Sequence, residues 1–177
     1  MGAFSQVSSV RWCPGAGEIV LTAVHVDGVR PDVRGGQRGD LRLYRCLPAD
    51  GRWERVWPGY AHDPVCLPDG YAVHRGAGVT LLDHSGAVQR DIKVGRFNWG
   101  PPSLSVNYAG DRVAWARWVG DHQKARVENL ADGTSFQSRH SVYRYGWWDD
   151  RTLIYYLGTG LRLLDVTTGK TRAVPWT

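Results

Sequence analysis

Residues 143–172 read YRYGWWDDRTLIYYLGTGLRLLDVTTGKTR, and this stretch decides the fold. It holds three short apolar runs, YGWW (145–148), TLIYYL (152–157) and LRLLDV (161–166). Polar turns DDR and GTG separate them, and TTGK closes the last. Runs of four to six aromatic, β-branched and aliphatic residues, bounded by Gly and Asp, read as strands of an antiparallel meander. No helical periodicity is sustained here or elsewhere in the chain, so the fold class is all-β.

Working outward, the same unit recurs upstream. One copy begins VSSVRWCPGAGEIVLTAV (7–24) and, after a polar insertion, ends DLRLYRCLPADGRWERVW (40–57). Another is HDPVCLPDGYAVHRGAGVTLLDHSGAVQRDI (62–92), and a third runs PSLSVNYAGDRVAWARWVGDHQKARVENLADGTSFQSR (102–139). Each has a strand ending in a turn, a second apolar strand, a third strand leading into a Gly hairpin, and a more polar fourth strand. The hairpins are ADG (49–51), HSG (84–86), ADG (131–133) and TTG (167–169). A hairpin this short needs one residue at positive φ, which Gly supplies without a Cβ clash.

Repeats of roughly 40 residues with four strands each are the signature of β-propeller blades. The expected architecture is a small propeller of four blades, approximately 7–57, 58–94, 95–140 and 141–177, each a four-stranded antiparallel meander. Four blades in one ring is the simpler expectation; two chains joining as a homodimer into a larger ring is the alternative. Closure predicts that Ala3–Val10 adds a strand beside Thr171–Pro175, since an open ring leaves a sheet edge exposed.

The repeat also resembles a family. Leu67-Pro68-Asp69-Gly70, Tyr108-Ala109-Gly110-Asp111 followed by Arg112-Val113-Ala114, and Leu161 to Lys170 are similar to the TolB-like, WD40-type propeller repeat. Cys13-Pro14-Gly15 and Trp148-Asp149-Asp150 are degraded copies of the same turn. The resemblance implies a fold and brings no particular activity with it.

Composition narrows the function classes. Nine Trp and eight Tyr against three Phe and one Met supply rings that fill a sheet core while keeping a polar handle. The net charge of +5 comes from 22 Lys and Arg, of which Lys93, Lys124 and Lys170 are the only lysines. The arginines are spread evenly rather than gathered in a stripe, which argues against a nucleic-acid partner. No apolar stretch approaches the roughly 18 residues of a membrane span, so no membrane partner is expected. The first residues, MGAFSQVSSVRW, lack a basic segment followed by an apolar run. Cys13, Cys46 and Cys66 are odd in number and form no CxxC pair. They are expected to be buried, reduced, structural thiols of a cytoplasmic protein.

Local motifs for chemistry are few. The six histidines include no HExxH and no closely spaced metal-type pair, so no metal or other cofactor is expected. His84 in HSG and His122 in GDHQ read as plain surface residues. GxSxG is absent, and the GAG and GTG turns have no helix behind them to cradle phosphate. Asp149-Asp150 reads as a solvated turn.

Architecture still places a site. The connections that enter the inner strands share one face of a propeller: Pro58–Asp63, Gly95–Ser103 and Arg139–Arg144, with the N-terminal segment. They mix aromatic with hydrogen-bonding groups, as ligand pockets do. The expected ligand-binding residues are Tyr60, His62, Asp63, Asn98, Trp99, His140, Tyr143 and Arg144, with no catalytic residue assigned. The leading expectation is a non-catalytic module that recognises a protein partner or a small ligand on that face. A hydrolase-, lyase- or cyclase-type enzyme around His62, Asp63 and His140, and a lectin using exposed tryptophans, are the alternatives. The insertion at 25–40 reads as a surface loop.

Overall fold

The computed structural model describes residues 4–25, 41–49, 51–75, 78–93 and 104–174. The insertion at 26–40 and the connection at 95–103, with the expected site residues Asn98 and Trp99, lie outside the described residues. Among the described residues, sixteen strands form four separate four-stranded antiparallel sheets, each a meander in chain order. Blade A comprises β1 (Phe4–Cys13), β2 (Glu18–His25), β3 (Arg42–Leu47) and β4 (Arg52–Trp57). Blade B comprises β5 (His62–Leu67), β6 (Gly70–Arg75), β7 (Gly78–Asp83) and β8 (Val88–Lys93). Blade C comprises β9 (Ser105–Val106), β10 (Arg112–Val119), β11 (His122–Asn129) and β12 (Ser135–Gln137). Blade D comprises β13 (Tyr143–Trp147), β14 (Thr152–Tyr156), β15 (Leu161–Asp165) and β16 (Thr171–Ala173). The chain divides into two compact units, Met1–Val94 with blades A and B, and Gly95–Thr177 with blades C and D. Among the described residues no helix is long and apolar enough to cross a membrane.

The hairpin glycines behave as their spacing requires: Gly51, Gly86, Gly133 and Gly169 have φ between 63° and 86°. Gly86 has a second duty, because a Cβ there would lie 2.0 Å from the Val56 carbonyl oxygen at the end of blade A. The third-strand aspartates have an equally local cause. Asp83 Oδ1 accepts from the Ser85 and Ala87 amides at 2.8 and 2.9 Å, and Asp165 Oδ1 from the Thr167 amide at 2.8 Å. Asn129 does the same in blade C toward the Ala131 amide at 2.9 Å. Such Asx turns close the hairpin before the sheet pairs. Bonding from the Ser85 hydroxyl first, then from backbone amides, holds the Asp83 carboxyl below its ordinary range.

Each unit has its own core between two sheets. In the first unit Cys13, Val20 and Leu43 of blade A meet Tyr71, Val73 and Leu82 of blade B, with Trp57 and Ala61 at the connection. In the second, Ala114, Ala125 and Val127 of blade C meet Trp147, Leu153, Tyr155 and Leu164 of blade D. Strand alternation decides who enters: Tyr155 is 2% exposed and packs in this core, while its neighbour Tyr156 points the other way and is 46% exposed. Leu21, Ala23 and Tyr44 form a smaller cluster on the other face of blade A, with Phe4 against it.

Phe4–Val10 is the first half of β1 and pairs with β2, as part of blade A. Three expectations change. Cys13 and Cys66 are joined in a disulfide with a Cα–Cα distance of 5.5 Å, so only Cys46 remains a buried thiol. Their 53-residue separation hid the pairing, which exists because β1 and β5 lie side by side in the core. Titrating thiols of the denatured, unreduced chain is expected to find one reactive group, Cys46; finding three would show that the bridge does not form. Asp150 is not merely a solvated turn former. Its carboxylate accepts from the Ala109 amide at 2.6 Å and its carbonyl from Arg112 Nη1 at 2.9 Å, keying blade D to blade C.

The third change concerns His84, which is more than a surface residue. Its Nδ1 lies 3.5 Å from the Tyr71 hydroxyl and 3.7 Å from Glu18 Oε1, and Nε2 lies 3.2 Å from the Pro68 carbonyl. Tyr71 donates to the buried Glu18 carboxyl, and Arg45 donates to the His84 carbonyl at 2.7 Å. Burial, then the bond to Glu18, pushes the Tyr71 phenol far above its usual range. A hairpin of blade B is thereby tied to blade A through polar groups that satisfy one another.

Candidate functional site

Register irregularities recur in the sheets, in the β3–β4 and β7–β8 pairs as well as on three of the four inner strands. β1, β5 and β13 each carry a register shift against their partner, between Val7 and Ser9, His62 and Val65, and Tyr143 and Tyr145. An extra residue on one strand re-aims its side chain, and such bulges gather beside functional sites. Among the described residues, Asp63 (φ 49°) and Arg144 (φ 47°) are the only non-glycine residues at positive φ. Both lie in these bulges, and both are among the residues that the sequence nominates. Left-handed backbone is costly for Arg, and for Asp63 the following Pro64 disfavours helical-type conformations further.

In the first unit the bulged strands β1 and β5 meet through polar pairs. Ser8 Oγ and His62 Nε2 are 3.0 Å apart, and Arg11 Nη2 donates to Asp63 Oδ1 at 3.3 Å. The Cys13–Cys66 bridge continues the same seam. The Arg11 side chain is 49% exposed, so the ion pair contributes at most about 1 kcal/mol. His62 stands directly across from His74 in the β5–β6 register. His74 is buried, and that burial, reinforced by His62, lowers its pKa to about 4. Tyr60 is half-buried just ahead of this seam.

In the second unit, Val142 is buried in the core while His140 and Arg144 are exposed on either side of it. Tyr143 occupies the first position of β13, opposite Tyr156. Arg144 opens onto a cavity of about 590 Å³ whose other walls include Tyr145, Gly146, Ile154, Tyr156 and Leu161. The cavity sits where β13 begins, β14 ends and β15 begins, the end of blade D that receives the Arg139–Arg144 connection. The structure thus places Tyr60, His62 and Asp63 together on one unit, and His140, Tyr143 and Arg144 on the other.

Sequence reasoning missed Ser8, Arg11 and His74 at the first seam, and Gly146, Ile154 and Leu161 around the cavity. His74 was not legible from alternation: counting back from the Leu67–Gly70 pair sets Asp63 opposite it, and the bulge between His62 and Val65 brings His62 there instead. Among the described residues no three His, Cys, Asp or Glu side chains are grouped to hold a metal ion.

No family model matches the chain, and no curated protein sequence matches it. Solved structures do. The putative TolB from Agrobacterium tumefaciens is similar over 97% of this chain and 62% of its own, with 15% identity and a TM-score of 0.64. The Neurospora crassa Pan2 WD40 domain matches over 94% of this chain and 49% of its own, at 13% identity and TM-score 0.58. An oligogalacturonate lyase in complex with manganese matches over 98% and 59%, at 12% identity and TM-score 0.62. At such identities the likeness is one of fold alone: the four sheets are β-propeller blades, as in the TolB and WD40 structures. The chain spans less than two thirds of the length of each of these proteins.

Proposed function

We propose that this chain is a non-catalytic binding module that recognises a protein partner or a small ligand at the blade ends receiving the inter-blade connections. The observation that supports this reading most is the coincidence of backbone strain with the expected site. Asp63 and Arg144 hold uncommon left-handed conformations at bulges of two inner strands, and Arg144 borders an open cavity. Strain of this kind persists only where the surrounding structure over-determines it, and it concentrates at sites that must present a side chain. TolB and a WD40 domain share the fold, as does a lyase. The binding reading is favoured because His62 and Asp63 are engaged with Ser8 and Arg11, as parts of a structural seam.

The test is a side-by-side capture with the wild-type chain and Arg144→Gln, both immobilised at equal folded concentration. The expected result is a ligand or partner recovered chemically unchanged on the wild type and depleted at least several-fold on the variant. Equal recovery on both, or conversion of the captured molecule, would remove the reading.

A further inference from the structure

The cavity on blade D has three features that together specify what fits it. Its volume, about 590 Å³, lies in the range of small-molecule sites, roughly 300–1,000 Å³. Its walls are mostly hydrocarbon and aromatic, from Tyr145, Ile154, Tyr156 and Leu161. At its mouth stands Arg144, exposed, and with no hydrogen-bond or ion-pair partner among the described residues. Among the described residues no carboxylate lines the cavity, so the guanidinium stands there as a single positive charge beside an apolar recess.

Gly146 is the second, independent observation. It sits inside β13, paired with Ile154, without positive φ. A Cβ built there would meet nothing within 4 Å. Neither turn geometry nor crowding therefore accounts for a glycine in the middle of a strand, where it weakens the sheet. Its missing side chain is what leaves that part of the cavity open, the remaining reason a strand keeps a glycine where something else must approach.

We infer that this cavity binds a small amphiphilic monoanion, an aryl- or branched-alkyl carboxylic acid, with its apolar body over Gly146 against Ile154 and Leu161 and its carboxylate on Arg144. One guanidinium balances one negative charge, and its planar fork matches a carboxylate's two oxygens. The Tyr156 hydroxyl does not add a donor, because it is spent on the Gly158 carbonyl at 2.9 Å. The inference rests on the binding reading above and gives it a ligand class.

The experiment is isothermal titration of the full chain with 3-phenylpropionate and with its neutral isostere 3-phenylpropanamide. Wild type is expected to bind the carboxylate saturably at one site and the amide at least tenfold more weakly. Arg144→Gly keeps a residue at home in left-handed backbone while deleting the charge, so it should fold normally and lose at least tenfold in carboxylate affinity. Gly146→Leu should fill the recess and abolish binding of both compounds, and Gly146→Ala should weaken it with less demand on the fold. Equal affinity for acid and amide, or unchanged affinity in Arg144→Gly, would overturn the assignment. So would concentration-dependent self-association of the wild type that Gly146→Leu abolishes, which would make the occupant a second copy. Wild type that binds neither compound while still capturing a partner through Arg144 would refute this ligand class and leave the binding reading standing.

Discussion

Reducing the Cys13–Cys66 bridge is expected to lower the stability of the first unit by about 4 kcal/mol. The bridge closes a loop across a sequence separation of 53 residues. In the chain-entropy account, releasing such a loop returns about 14 cal/mol/K to the unfolded chain, or about 4 kcal/mol at room temperature. The folded side of the balance also suffers, because Cys13 is buried in the core shared by blades A and B. The bridge joins the strands that carry the Ser8–His62 and Arg11–Asp63 contacts, so local order at that seam should fall with it. The check is urea denaturation with and without a thiol reductant, followed by the double variant Cys13→Ala, Cys66→Ala. A midpoint indifferent to reductant would show that the strands hold each other without the covalent link.

Acidification should destabilise the same unit through His74, by about 3 kcal/mol in full. Burial, with His62 beside it, lowers the folded-state pKa from an ordinary 6.5 to about 4. The folded chain therefore keeps His74 neutral in a range where the unfolded chain takes up a proton. The stability at stake is fully present above about pH 6.5 and is lost progressively as pH falls toward about 4, where the loss levels off. A difference of about 2.5 pK units corresponds to about 3 kcal/mol. Asp83, Asp132 and Asp165, held below the ordinary carboxylate range, lose their contribution only as pH falls further, which separates the two windows. Urea midpoints at pH 7 and pH 4.5 should differ strongly in the wild type and much less in His74→Gln. If the variant keeps the wild-type slope across that interval, another group is responsible.

The positions that sequence pattern reached best are those whose physics is local. A hairpin glycine, an Asx-turn aspartate and a run of alternating apolar residues act over two to six positions, so YRYGWWDDRTLIYYLGTGLRLLDVTTGKTR suffices to set a four-stranded meander. The copies inherit that logic, and even the opposite fates of Tyr155 and Tyr156 follow from alternation. Arg144 and Asp63 were nominated for their place in the connections, but their left-handed backbone was not legible, since bulges arise from register against β14 and β6.

The chain by itself determined the class of fold and the four-stranded repeat, because these depend on periodicity and turn chemistry written in neighbouring residues. Tertiary structure alone decided that Cys13 reaches Cys66, that Tyr71, Glu18 and His84 share one polar cluster, and that Gly146 leaves a recess beside Arg144. Each of these is a meeting of side chains from different strands, fixed by how sheets stack and register. Short-range preference carries no information about such distances, and burial, which sets the pKa of His74, exists only once the sheets have packed.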